Sequence, residues 1–140
     1  MKNIKIAIID KDINAIGELK EILSFCGYTP VPVIDSLLAV NTIIQSNPDL
    51  ILMDLRIPRQ RGFEITYTIN RVCETKRVPI IAMSDSYKDD FQGHLDFRGI
   101  KRWIKKPFQP LNLIWAIENT IEHDNQWSKQ NRLAGRGIVA

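Results

Sequence analysis

The stretch Pro48-Asp49-Leu50-Ile51-Leu52-Met53-Asp54-Leu55-Arg56-Ile57-Pro58-Arg59-Gln60-Arg61-Gly62 decides how the chain is read. An apolar run of strand length, Leu50 to Met53, stops at an acidic side chain, and a Pro and a Gly punctuate the loop that follows. A continuous apolar run predicts a strand buried on both faces, as in a parallel sheet covered by helices. Asp54 then falls at the C-terminal end of a strand, where open α/β sheets hold their ligands. Asp is also a common turn residue, so capping of the next turn is an equally good account of this stretch alone.

The same unit recurs on both sides. Ile4 to Ile9 is a β-branched run ending at Asp10-Lys11-Asp12, and Ile13, Ile16, Leu19, Ile22, Leu23 and Cys26 then recur at helical spacing up to Gly27. Tyr28 to Ile34 carries Pro30 and Pro32, which predicts an edge strand. Leu37, Leu38, Val40, Ile43 and Ile44 predict a second helix, opened by Asp35 or Ser36 and closed before Asn47-Pro48. A third helix is expected over Phe63 to Cys73, a fourth strand over Val78 to Met83, and a short fourth helix around Phe91, Leu95 and Phe97. Arg102-Trp103-Ile104 reads as a fifth strand, and Leu111, Ile114, Ile117 and Ile121 as a fifth helix with Pro110 in its first turn. Strands alternating with helices predict a doubly wound five-stranded parallel sheet, and an edge second strand selects the flavodoxin-like order 2-1-3-4-5.

With 140 residues, 44% of them hydrophobic, the chain suits one domain, expected over residues 3–122. Residues 123–140 are expected to be a tail or linker, helical in part and then mobile. A formal net charge of +3 is spread along the chain, and Lys129, Arg132 and Arg136 are a sparse set, so direct nucleic-acid binding is not expected. Neither a signal peptide nor a membrane-length apolar run is present, which predicts a cytoplasmic protein. Cys26 and Cys73 lie in apolar helical contexts and are expected to be buried and reduced. His94 and His123 have no convergent partners and read as surface residues.

In the 2-1-3-4-5 order, Asp10, Asp54, Ser84 and Lys106 open on one rim. Two carboxylates on adjacent strand ends offer hard oxygen ligands to Mg²⁺. The Ser84 hydroxyl and Lys106 ammonium could bind the oxygens of an incoming phosphoryl group, with Asp54 as the nucleophile that forms an aspartyl phosphate. Each residue alone has a plainer reading: a strand-end hydroxyl, a solvated lysine, a helix-capping acid. Jointly, at four successive strand ends, they favour phosphoryl chemistry. A flavodoxin-like flavin site is disfavoured, because Asp10-Lys11-Asp12 is not the Ser/Thr/Gly-rich turn that cradles a phosphate.

With Asp54-x-x-x-Pro58-x-x-x-Gly62, Ser84 after a Pro-Ile-Ile strand, and Lys106-Pro107-Phe108, residues 3 to 122 resemble a receiver domain of two-component response regulators, the CheY-like family. The resemblance implies that Asp54 is the phosphoacceptor, supplied by a histidine kinase or phosphotransfer protein, and that Ser84 and Lys106 contact the phosphoryl group. It implies that Asp10, Asp54 and the backbone carbonyl of Arg56 hold Mg²⁺, and that Trp103 is the switch aromatic that moves with Ser84. It also implies a partner or homodimer face on the fourth helix, fifth strand and fifth helix. There Lys101, Arg102, Trp103 and Lys105 would meet acids such as Asp89, Asp90, Asp96 and Glu118. Such a domain is not a conventional enzyme; at most it catalyses its own aspartyl phosphorylation and dephosphorylation.

The sequence departs from the family at three places. Lys11 stands where a second acid usually binds the metal directly, and Asp12, a substitute ligand by type, falls at the expected N-cap of the first helix. A unit charge about 5 Å from another is worth roughly 3 kcal/mol at an effective dielectric near 20, and twice that against a divalent ion, so Mg²⁺ is expected to bind weakly or not at all unless Lys11 points into solvent. Asp85 stands where a small residue usually leaves the phosphoryl pocket open, with Lys11 as its candidate partner, and Arg59 and Arg61 make the following loop basic. These departures predict that Lys11 reaches Asp10 and Asp54 and takes the metal's electrostatic place. They also raise a second reading, a pseudo-receiver that works as an interaction or dimerisation module without phosphorylation.

Overall fold

The computed structural model describes residues 3–35, 38–56, 68, 78–85 and 100–133, the last eleven by backbone alone. Its elements in chain order are β1 (Lys5–Ile9), α1 (Ile13–Phe25), β2 (Thr29–Val33), α2 (Ala39–Ser46), β3 (Leu50–Asp54), β4 (Ile80–Ser84), β5 (Ile100–Lys105) and α3 (Pro110–Leu133). The helices expected over residues 63–73 and 91–97, with Arg59, Arg61, Cys73, Asp89, Asp90, His94 and Asp96, lie outside the described residues, as does the His123 side chain.

The five strands are parallel and ordered β2-β1-β3-β4-β5, the doubly wound arrangement of the CheY-like flavodoxin fold. Prolines place β2 at the edge for a simple reason. The Thr29 N–H donates to the Ile4 carbonyl, so by alternation the nitrogens of Pro30 and Pro32 face away from β1, where no ladder bond is lost. Every residue of β3 and β4 is buried, as their unbroken apolar runs predict.

Alternate side chains of these strands feed two cores. On one face Ile6, Ile8, Leu50, Leu52 and Ile81 pack with Leu19 and Leu23 of α1 and Leu113 and Ile117 of α3. On the other, Ala7, Ile9, Ile51 and Met53 pack with Ala39 and Ile43 of α2. Helices on both faces oblige the sheet to keep its polar chemistry for the strand ends.

Local signals set the helix boundaries. Asp12 caps α1 by accepting from the backbone N–H groups of Asn14 and Ala15, and Gly27 follows the helix at φ 87°, a left-handed conformation that glycine adopts freely. Asn47 closes α2 in the same left-handed region at φ 51°. Helix α2 has Leu38 rather than Asp35 as its N-cap, with the Leu38 N–H donating to the Asp35 carbonyl, and the other expected cap, Ser36, lies outside the described residues. Cys26, expected to be buried, is an exposed free thiol, because it follows α1 beyond the inward stripe of Ile16, Leu19 and Leu23. Helix α3 runs through to Leu133 with no break at residue 122. Among the described residues, no helix is long and apolar enough to cross a membrane.

Candidate phosphoryl-acceptor site

Strand register assembles the site. Ile9 pairs with Met53, so Asp10 and Asp54 leave β1 and β3 at the same level. Ser84 ends β4 one residue beyond the partner of Asp54, and it pairs with Lys105. The Lys106 N–H then donates to the Ser84 carbonyl at 2.7 Å, extending the ladder by one step and turning the Lys106 side chain back over the sheet. The Lys106-Pro107 peptide bond that follows is cis. The rim residues predicted from the sequence, Asp10, Asp54, Ser84 and Lys106, therefore do come together at one edge of the sheet.

The side chains form a dense ion cluster. Lys106 Nζ lies 3.0 Å from Asp10 Oδ2 and 3.3 Å from Asp54 Oδ2. The Arg56 guanidinium Nε donates to the same Asp54 Oδ2 at 3.3 Å. The remaining oxygens take backbone donors: Asp10 Oδ1 accepts from the Asp12 N–H and Asp54 Oδ1 from the Arg56 N–H, each at 2.9 Å. Both carboxylates and Ser84 are buried, whereas the Arg56 side chain is 39% exposed. One Asp54 oxygen thus closes the turn at Arg56, the plainer account of its stretch, while the other sits among cations.

These surroundings split the two acids. Burial pushes the Asp10 carboxyl above the ordinary carboxylate range, against the pull of the Asp12 amide and the Lys106 ammonium. Burial also acts upward on Asp54, but there the Arg56 amide, the Lys106 ammonium and the Arg56 guanidinium together outweigh it and hold the carboxyl low. Asp54 is accordingly the acid that stays ionised, and Asp10 the one that takes a proton first. The nearby Asp54 carboxylate in turn raises the Arg56 guanidinium.

Two expectations are corrected by this geometry, those for Lys11 and Asp85, and one, the N-cap at Asp12, is met. Lys11 is exposed and makes no ion pair with Asp10 or Asp54 among the described residues; Lys106 and Arg56 supply the cations instead. Asp12 Oδ1 accepts from the Asn14 and Ala15 N–H groups at the α1 N-terminus, the N-cap role its position predicts. Asp85 is exposed, and its field reaches the Arg56 guanidinium rather than being absorbed by Lys11. The Arg56 side chain is the participant that sequence reasoning missed, having assigned only its carbonyl. The available signal was its place two residues after a strand-end Asp, within reach of the same turn.

Beside the cluster, Trp103 on β5 is half-buried against the core that α2 covers, opposite Ala82 of β4. Its neighbour Arg102 is turned onto α3, where Nε donates to Thr120 Oγ1 at 3.0 Å and the guanidinium carbon lies 4.9 Å from the centre of the Trp115 ring. Lys101, Lys105 and Glu118 are exposed.

The donor set bears on a divalent metal. Two carboxylates and the Arg56 carbonyl are hard ligands of the right type, but no group of three or more His, Cys, Asp or Glu able to hold a metal ion occurs among the described residues. All four carboxylate oxygens already accept from protein donors, and two cations balance the two acids. A divalent cation entering this cluster would have to displace Lys106 or Arg56 from the carboxylate oxygens they hold.

The model of the response regulator receiver domain matches residues 6–118, and the chain belongs to that family, a component of two-component signalling. Among curated proteins it is similar to the probable transcriptional regulator ycf27 of Porphyridium aerugineum, 27% identical over 139 residues, covering 99% of this chain and 57% of that protein. It is also 31% identical over 137 residues to hybrid signal transduction histidine kinase C of Dictyostelium discoideum, covering 92% of this chain and 11% of that protein. The chain spans about half the length of the first curated relatives it matches. Among solved structures, the receiver domain of sensor histidine kinase PA1611 from Pseudomonas aeruginosa, with a magnesium ion in its active-site cleft, superposes with a TM-score of 0.77 at 26% identity, covering 86% of this chain and 99% of that one. Chemotaxis protein CheY4 of Vibrio cholerae shares the fold with a TM-score of 0.75 at 21% identity, over 84% of this chain and 98% of that one.

Proposed function

We propose that this chain is a cytoplasmic phosphorylation-operated receiver in which Asp54 accepts a phosphoryl group from a histidine kinase or phosphotransfer protein. The observation that carries the reading is Asp54 itself: a buried carboxylate at a strand end, held ionised with a lysine ammonium on its outer oxygen. An Asp54 oxygen attacks the phosphorus while the phosphohistidine P–N bond breaks, and the electron pair leaves on the imidazole nitrogen. Lys106 follows the developing charge from the carboxylate onto the phosphoryl oxygens. The Ser84 hydroxyl, on the next strand end, donates to one of those oxygens, and the vacancy it leaves draws Trp103 inward. That movement changes the β5 and α3 surface, where Lys101 and Lys105 are the exposed cations offered to an acidic partner or a second copy. Mg²⁺ binding is expected to be weak, since the two acids are already charge-balanced.

Incubation with acetyl phosphate, read by intact mass on the wild type and on Asp54→Asn, tests the reading. One added phosphoryl group in the wild type and none in the variant is expected. If the wild type gains none while it still associates with its partner, the phosphorylation-independent interaction module takes its place.

A further inference from the structure

The charge balance of the cleft depends on one residue beyond the set implied by family resemblance, and the inference that follows rests on the receiver reading above. Asp10 and Asp54 carry two negative charges, and the positive ends of Lys106 and Arg56 lie within 3.3 Å of them. A divalent cation added to the two carboxylates would leave these four side chains and the ion with an excess of two positive charges around two fully buried acids. Of the two cations, Lys106 is fixed by its backbone bond to Ser84 and by both acids, whereas the Arg56 side chain, 39% exposed, is paired among the described residues with Asp54 alone. Arg56 can therefore move off the carboxylate towards an incoming ligand without leaving the cleft. Its planar fork matches two oxygens of a phosphoryl group, which a spherical ammonium does not. The exposed Asp85 keeps an anionic field on the guanidinium from the solvent side. Lys11, exposed and unpaired with either acid, has no comparable position.

We propose that the Arg56 guanidinium stands in for the divalent cation: it neutralises Asp54 at rest, closes the site to Mg²⁺, and receives the phosphoryl oxygens during transfer, so that Asp54 is phosphorylated without a metal. With acetyl phosphate as donor, the bond from the Asp54 oxygen to phosphorus forms and the bond from phosphorus to the acetyl oxygen breaks. The electron pair departs on acetate, no proton is needed, and Arg56 pairs with the phosphoryl oxygens in place of the carboxylate.

The experiment compares the wild type with Arg56→Gln, Arg56→Ala and Lys11→Asp, each confirmed as folded by its thermal melt. Labelling by acetyl phosphate is followed by intact mass in EDTA and in MgCl₂, and metal binding is read separately from the water-proton relaxation of added Mn²⁺. The wild type should label at the same rate in EDTA as in MgCl₂ and show no saturable Mn²⁺ binding. Both Arg56 variants should label at least about tenfold more slowly in EDTA, a conservative figure for loss of a partly screened charge on the reacting group. They should also gain Mn²⁺ binding, whereas Lys11→Asp should leave labelling in EDTA unchanged. A wild type that labels only with MgCl₂, or Arg56 variants that match it in both readouts, overturns the proposal while leaving the receiver reading intact. Saturable Mn²⁺ binding by the wild type also overturns it. Failure of every protein to label in either condition sinks both readings.

Discussion

Replacing Lys106 by Met removes the one group among the described residues that touches both buried acids, and the cost is set by what remains. Lys106 Nζ lies 3.0 Å from one carboxylate and 3.3 Å from the other, with its side chain 15% exposed. At an effective dielectric near 20, one such contact is worth about 5 kcal/mol before desolvation of the ammonium is counted. Breaking a buried pair by removing one partner typically costs about 3 to 5 kcal/mol, because the other charge is left behind. In this cluster Arg56 still serves Asp54, whereas Asp10 keeps, among the described residues, its backbone donor alone, so the lower end, about 3 kcal/mol at pH 7, is expected. The pH dependence identifies the mechanism. Asp10 already has a raised carboxyl, chiefly through burial, and loss of the ammonium raises it further. The penalty is therefore fully present above the variant's higher Asp10 value and is lost as the pH falls from there through the wild-type value, because a protonated Asp10 no longer needs a cation. Urea unfolding of wild type and Lys106→Met at pH 7 and at mildly acidic pH measures this directly. A loss below about 1 kcal/mol at pH 7, within the range of an ordinary surface pair, would refute the reasoning. So would a loss that did not diminish on acidification.

Related effects should appear elsewhere. Asp10→Asn removes a carboxylate whose burial works against its charge while keeping an acceptor for the Asp12 N–H, and should stabilise the domain by about 1 kcal/mol, read as a rise of a few degrees in Tm. In the opposite direction, Asp12→Ala deletes the two α1 capping bonds and should lower stability by about 1 kcal/mol in chemical denaturation, with Asp54 labelling retained. Leu52→Ala empties a fully buried position under α1 and α3 and should lose about 3 kcal/mol, measured as a lower urea midpoint at constant m-value. Replacing Lys101 and Lys105 together by Glu should weaken association with an acidic partner or a second copy, seen by sedimentation, while Asp54 labelling continues.

The sheet was legible because its signals are cooperative along each strand. Leu50 to Met53 and Ile80 to Met83 are apolar without a break, and a strand buried on both faces has few other compositions. Pro30 and Pro32 gave the edge, and the edge gave the order. Once the order was known, the convergence of Asp10, Asp54, Ser84 and Lys106 followed from register alone. Side-chain direction was less accessible. Lys11 and Arg56 are both cations next to strand-end acids in the sequence, and composition does not say which one turns inward. The turn after β3 decides it, since the Arg56 N–H bonds back to Asp54 and carries its own side chain along, whereas Lys11 faces solvent at the start of the loop that Asp12 caps. Cys26 was misplaced for a similar reason, because helical spacing continued one position past the point where α1 leaves the core.

The central claim is that the chemistry occurs on one atom group, the Asp54 carboxylate, and it is tested most directly by trapping the product where it forms. After acetyl phosphate treatment, borohydride reduction of an aspartyl phosphate leaves homoserine, which tandem mass spectrometry locates in the peptide. The account predicts homoserine at position 54 and nowhere else in the chain. Homoserine at another aspartate, or a labelled protein with Asp54 intact, would contradict it.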